Sequence, residues 1–354
     1  MSASGMTDPV WTERLRQPPR SAKAARIQRL LRQFEDIQWL DPDDIVAGQF
    51  RQLSLLLAHA RETIPHYAET LSSIDVDDTA SLMKGGWLDV PLLRRQTVNQ
   101  LGKELLSRNI PADHGGLDAI YTSGTTGLPV RVVRSRYTLD YWSAFTTRDH
   151  IWHNRDISKT LAAIRTSDKG FALYPNGQRH IAWGSKDGVF ETGPSLSLNV
   201  GTAIDDMAEW IARMQPDYIL TMPNVIKRLA PWCLENKITF AKLQEISVIG
   251  EVSGEILRQL CQEAWQVPLH DVYSSREVGY MALQCPVGDH YHIQSEGVYL
   301  EVLDEDNQPC RPGQTGKVVV TTLRNFAMPL IRYEVGDHAE VGEPCCCGRG
   351  LPVL

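Results

Sequence analysis

Apolar residues recur at helical spacing early in the chain, as Ile27, Leu30, Leu31 and Phe34 and again as Leu53, Leu56, Leu57 and Ala60. Each set lines one face of a helix, so the pattern predicts amphipathic helices dominating to about residue 70. Pro65 is expected to mark their end, because its ring and missing N–H disfavour a helix interior. The first 22 residues mix small, polar and Pro positions and are expected to be flexible. A helical part is then expected over residues 23–115.

Beyond residue 116 the rhythm changes. Leu161 to Ile164, Tyr218 to Thr221 and Ile246 to Gly250 are short β-rich runs, separated by helical ones at Met207 to Met214 and Val225 to Leu229. That alternation predicts an α/β layer over residues 116–295 with strands paired largely in parallel. Ligands bind such sheets beyond the carboxyl ends of the strands, where Gly250 and Glu251 stand. Residues 296–354 read differently: Val298 to Leu303, a turn at Asp304-Glu305-Asp306-Asn307, a loop with Pro312 and Gly313, and Lys317 to Leu323 predict antiparallel hairpins.

With 354 residues, 42% hydrophobic and 22% charged, the chain has the balance of a globular protein with substantial cores. A formal charge of −7 leaves no global basic field, so neither nucleic acid nor an acidic membrane is an expected partner. No apolar run approaches bilayer length, and the expectation is a cytoplasmic protein. Seven cysteines, with Cys345, Cys346 and Cys347 adjacent, suit reduced thiols or metal ligation better than a disulfide framework.

The densest chemical signal is Tyr121-Thr122-Ser123-Gly124-Thr125-Thr126-Gly127-Leu128-Pro129. Glycines let main-chain N–H groups approach anionic oxygens, and the interleaved hydroxyls add donors, so the run suits a loop around a polyphosphate. It lacks the lysine of a Walker loop. Downstream come Tyr273-Ser274-Ser275-Arg276-Glu277 and Tyr333-Glu334-Val335-Gly336-Asp337. Weaker echoes are Ile64-Pro65-His66-Tyr67, Val90-Pro91-Leu92-Leu93-Arg94, Gly250-Glu251, Ile331-Arg332-Tyr333 and Cys345-Cys346-Cys347-Gly348-Arg349.

In this order the motifs resemble those of the adenylate-forming superfamily, in its phenylacetate–CoA ligase-like and capsule-biosynthesis-like branch, from about Leu53 to the last residue. The resemblance implies the large domain of those enzymes: stacked mixed α/β sheets plus a distorted antiparallel β-barrel. It also implies ATP-dependent joining of a carboxylic acid, aromatic or short acyl, to AMP, with CoA as acceptor. An amine, a carrier-protein thiol or another nucleophile is the alternative acceptor, and a non-catalytic ATP- or AMP-binding module the alternative function. A homodimer is compatible with either.

By the same resemblance Thr122, Ser123, Gly124, Thr125, Thr126 and Gly127 cradle the phosphates, with Thr125 and Thr126 in catalytic roles. Glu277 holds Mg²⁺, whose hard charge prefers oxygen ligands. Asp337 accepts from the ribose hydroxyls, and Gly250, Glu251, Val252, Tyr273 and Ser274 line the nucleotide. Arg276 and Ser274 replace the Thr and Gly common in the family, and Arg276 either adds a cation beside the phosphates or points away. Pocket walls are expected around Tyr141, His180 to Ser185, Pro223 and Ser275 to Gly279, with Tyr141, Ser275 and Gly279 singled out for the acid.

Cys285, His292, Cys345 and Cys347 form a second constellation, sufficient in number and type for a closed structural zinc site. His290 and Cys346 compete as ligands, and related ligases carry a comparable set. His150 and His153, one helical turn apart, read as surface or packing residues. Superfamily members continue through a hinge into a small swinging domain. The chain ends at Leu354, where that hinge is expected, so the swinging domain is expected to be absent and adenylation slow.

Overall fold

The structure is a computed structural model that describes residues 9–121, 129–183, 189–251 and 253–354. It divides into two compact units, one built from Arg26–Phe145 and Ser274–Leu354, the other from Met6–Ala25 and Thr146–Tyr273. The strands described are β1 Leu117–Tyr121, β2 Arg131–Ser135, β3 Leu161–Arg165, β4 Gln178–His180, β5 Ser195–Asn199, β6 Tyr218–Thr221 and β7 Glu245–Ile249. They continue as β8 Leu269–Ser275, β9 Gly279–Gln284, β10 Tyr291–Ile293, β11 Val298–Leu303, β12 Thr315–Thr322 and β13 Tyr333–Glu340.

The first unit is organised by the helix Pro42–Thr63. Asp41 caps it by accepting from the Asp43 N–H, and Pro42 opens it where a missing N–H costs nothing. Its predicted apolar face is wholly buried: Leu53, Leu56, Leu57 and Ala60 pack in one core with Val130, Val132, Leu330 and Tyr333. The helix stops at Thr63, but Pro65 does more than end it. Ile64 turns extended and Pro65 opens a second helix, Pro65–Thr70, because a proline suits a first turn as well as it breaks an interior one.

Strands β11, β12 and β13 form an antiparallel sheet in this unit, and β1 pairs with β2 from Leu117↔Ser135 to Tyr121↔Arg131. The acidic turn falls where the sequence places it. Asp304 Oδ1 accepts from the N–H groups of Asp306 and Gln308, and Asn307 takes a positive φ of 61°.

In the second unit the strand order is β4-β5-β3-β6-β7-β8. All its pairings but the edge pair β4–β5 are parallel. The helices Ile204–Met214, Pro223–Glu235 and Glu255–Trp265 are the crossovers, and Trp210, Ile226, Leu229 and Cys261 pack against Ile219, Ile246 and Val248 in one core. Within the first 22 residues lies a helix, Pro9–Arg16, whose Trp11 packs against Ile157, Trp183 and Tyr218. A single buried indole supplies enough apolar area to order a short segment whose own composition is unremarkable. No described helix is long and apolar enough to cross a membrane.

Candidate nucleotide and metal sites

Glu277 stands on a tight turn. The chain leaves β8 at Ser275, turns through Arg276, Glu277 and Val278, and enters β9 at Gly279. The Ser275 hydroxyl accepts from the Val278 N–H at 3.1 Å and closes the turn, while Gly279 takes a φ of +103° that other residues rarely adopt. Ser275, read as a pocket residue, is thereby engaged in building the turn. Arg276 donates to the carbonyl of Tyr121 at 3.2 Å. Tyr121 is the last residue of β1 and directly precedes the hydroxyl-rich run, so the substituted arginine stands at the root of that segment.

The carboxylate of Glu277 is buried, and its partner is a residue the motifs did not single out. Arg95 Nη1 donates to Glu277 Oε1 at 3.0 Å. The segment before Arg95 is fixed to β13 like an added strand: the Leu93 N–H donates to the Arg332 carbonyl, and the Glu334 N–H to the Leu93 carbonyl, each at 2.9 Å. Two motifs that look unrelated in sequence are therefore hydrogen-bonded to each other. Arg94 pairs separately, with Glu334 at 3.3 Å.

Tyr333 completes this corner. Its hydroxyl is buried and has no partner of ordinary hydrogen-bond geometry among the described residues. Burial pushes the phenol up to about 12, with Glu277 adding to the rise and Arg95 opposing it. A buried carboxylate, a guanidinium and an unsatisfied hydroxyl converge here, a donor set suited to a hydrated cation and phosphate oxygens.

Asp337 lies farther along the same strand. Register runs Tyr333↔Val320 and Glu334↔Val319, then resumes at His338↔Lys317, so Val335, Gly336 and Asp337 oppose Val318 alone. Gly336 takes a φ of +99° within this bulge. Bulges re-aim side chains, and this one leaves the Asp337 carboxylate exposed, as an acceptor for hydroxyls requires.

In the second unit Gly250, with φ +85°, and Glu251 follow the carboxyl end of β7, and Glu251 Oε2 accepts from the Asn224 N–H at the start of the helix Pro223–Glu235. Tyr273 lies near the end of β8 and is half-buried, as is Ser274 beyond it. Thr122, Ser123, Gly124, Thr125, Thr126, Gly127 and Val252 lie outside the described residues.

The expected pocket residues separate. Tyr141 and Gly279 line one crevice of about 30 Å³ in the first unit, with Trp142, Phe145 and Arg324. Tyr141 is nearly buried there, with the Arg324 guanidinium 5.1 Å from its ring centre. His180 is exposed on edge strand β4, whereas Trp183 is buried, its indole N–H donating to the Lys159 carbonyl.

Cys285, His292, Cys345 and Cys347 do come together, with one ligand atom from each lying within 4.8 Å of all the others. Cys285 and His292 stand on either side of the β9–β10 turn. Pairing of the final residues with β10, through Tyr291 N–H to the Leu354 carbonyl and Ile293 N–H to the Pro352 carbonyl, carries the cysteine run alongside.

Cys285 Sγ is 3.7 Å from Cys345 Sγ, close to the about 3.8 Å expected between two sulfurs on one tetrahedral zinc. His292 Nδ1 lies 3.3 Å from the Leu351 carbonyl, which can only accept, so Nε2 is left to face Cys347 Sγ at 3.3 Å. His290 Nε2 also reaches Cys345 Sγ, at 2.8 Å, whereas Cys346 is exposed. Burial pushes the Cys345 thiol up to about 12. It would do the same to Cys347, but hydrogen bonds and charge from Arg349 hold that thiol below its usual value.

A third cluster in the second unit had no clear sequence signal. Arg155 pairs with Asp149 and with Glu245, its Nε 2.7 Å from Glu245 Oε1, and all three are buried. His153 Nδ1 lies 3.1 Å from Asp149 and His270 Nδ1 3.1 Å from Glu245. His150 and His153 are thus members of an interior charge network. Burial, reinforced by Arg155, lowers His150 to about 4.

No family model matches the chain. It is 25% identical over 319 residues to the phenylacetate–coenzyme A ligase of Escherichia coli (strain K12), spanning 86% of this chain and 69% of that enzyme. The phenylacetate–coenzyme A ligase of Thermus thermophilus is also 25% identical, over 324 residues, 89% of this chain and 70% of the relative. Among solved structures, 2-hydroxyisobutyryl-CoA ligase in its postadenylation state superposes with a TM-score of 0.69 at 17% identity, covering 95% of this chain and 70% of that one. The chain thus has the fold of the large domain of adenylate-forming CoA ligases and resembles the phenylacetate–coenzyme A ligases in sequence.

Proposed function

We propose that this chain activates a carboxylic acid, aromatic or short acyl, at the expense of ATP and passes the acyl group to CoA. In the first step a carboxylate oxygen attacks the α-phosphorus and the bond to the bridging oxygen breaks, giving acyl-AMP and pyrophosphate. In the second the CoA sulfur attacks the acyl carbon and AMP leaves. The observation that carries this reading is the corner made by Glu277, Arg95 and Tyr333, which meets the chief demand of the chemistry: an anion must approach a polyanion, so cations and donors must be in place beforehand.

Glu277 would hold Mg²⁺, which when bound neutralises phosphate charge. Asp337 would take the ribose hydroxyls, and the residues near Thr125 the phosphates. The relatives, named for phenylacetate and 2-hydroxyisobutyrate, support an acid of modest size. The cysteine and histidine quartet fits a closed zinc site with no open position, which braces the end of β10 and does not act on substrate.

The test is acid-dependent exchange of labelled pyrophosphate into ATP over a panel of aromatic and short-chain acids. Exchange with at least one acid, reduced about a hundredfold by Glu277→Gln, is the expected result. Exchange indifferent to Glu277→Gln, or absent with every acid, would overturn the assignment.

A further inference from the structure

We infer that Arg95 is a switchable counter-cation: it neutralises Glu277 in the nucleotide-free chain, competes there with the divalent ion, and turns to the triphosphate when that ion arrives with ATP. This rests on the nucleotide site proposed above.

The pair is asymmetric. Glu277 is fixed on its turn with 8% of its side chain exposed, whereas Arg95 is 28% exposed and begins the helix Arg95–Leu101. The guanidinium can leave by side-chain rotation while its backbone stays pinned through Leu93. The carboxylate cannot follow. A buried carboxylate without a cation is costly, so whatever displaces Arg95 must itself be positive. Free divalent ion would have to displace a guanidinium and give it nothing in return. Ion bound to a triphosphate brings new anionic oxygens, and guanidinium groups bind such oxygens well.

Tyr333 supports the same reading. Its buried hydroxyl lies beside both groups, makes no hydrogen bond of ordinary geometry among the described residues, and can donate to an arriving oxygen. The neighbouring Arg94 lies largely exposed and pairs with Glu334, not with Glu277.

The experiment titrates Mn²⁺, alone and with ATP, into the full chain and into Arg95→Ala and Arg95→Lys, with calorimetry as the readout. Opposite shifts are expected in Arg95→Ala: Mn²⁺ alone binds at least tenfold more tightly, and ATP in saturating Mn²⁺ at least tenfold more weakly. Arg95→Lys, which keeps the charge, is expected to fall between and serves as the readout if the alanine variant does not fold. A purely structural role would weaken both affinities together, and that result overturns the inference, as do affinities within twofold of the parent. If the parent chain binds no ATP with Mn²⁺, the nucleotide site itself is wrong and this inference falls with it. If the parent binds and the variants match it, only the role of Arg95 is refuted.

Discussion

Arg332 and Glu301 meet as a two-pronged ion pair inside the first unit, Nη2 to Oε1 at 3.1 Å and Nε to Oε2 at 3.3 Å, with neither side chain more than 6% exposed. The remaining nitrogen of Arg332 donates to the carbonyls of Leu88 and Val90, so the guanidinium ties β11 to the segment that leads to Arg95. Burial raises the Glu301 carboxyl, and Arg332 only partly offsets it. Removing one partner leaves the other charge buried, so Arg332→Ala is expected to cost about 3–5 kcal/mol in urea unfolding. The double change Glu301→Leu with Arg332→Met should recover much of that loss.

The network around Arg155 predicts an acid-labile second unit. His150 falls from its ordinary 6.5 to about 4 through burial first and Arg155 second, so the unfolded chain binds its proton more readily. Stability is present above about 6.5 and lost as pH falls towards 4. Burial alone would raise Glu245, but the charges and hydrogen bonds of Arg155 and His270 together outweigh it and bring the carboxyl from 4.5 to about 2. Stability from Glu245 is therefore present above its unfolded value and lost as pH falls through about 4.5 towards 2. Urea midpoints should decline from about pH 6.5 downward, and His150→Phe should flatten the upper part of that decline.

Metal removal gives a separate expectation. The purified chain should carry about one equivalent of zinc, and a strong chelator should remove it with a fall of at least about 5 °C in the melting transition. Cys347→Ala and His292→Ala should each abolish zinc retention. Cys346→Ala should not, since that residue is exposed beside the quartet. Metal analysis and melting curves of the three variants decide it.

How far the sequence was legible depends on how local each signal was. Leu53, Leu56, Leu57 and Ala60 announce their helix because the periodicity lies within about two turns of the chain, and the alternation from β3 to β8 is likewise local. Glu277, Asp337 and the cysteine quartet stand out as candidates through motif order. Arg95 was not, because its partner is 182 residues away and the echo around Pro91 gives no hint of the pairing with β13. Asp149, Arg155 and Glu245 were missed for the same reason: a buried ion pair leaves no periodic trace. Trp11 looks like any aromatic in a polar stretch until the surface that receives it exists.

Gly279 provides the most discriminating test of the turn that carries Glu277. Its φ of +103° is strained for any residue with a Cβ, at about 1–3 kcal/mol. Steric clash is a minor factor, since an added Cβ would meet the Trp142 ring at an ordinary 3.5 Å. In Gly279→Ala the strain is best relieved by moving the adjoining turn, which shifts Glu277 relative to Arg95 and Tyr333. ATP affinity in Mn²⁺ should therefore fall by more than tenfold while most of the protein stays folded. Gly313→Ala is the control, because Gly313 has a φ of +80°, nothing within 4 Å of the added carbon, and a place on the β11–β12 loop, outside the turn that carries Glu277. Both variants should lose comparable stability in urea, yet only Gly279→Ala should lose the nucleotide. Equal loss in both would mean that the turn has no special part in binding.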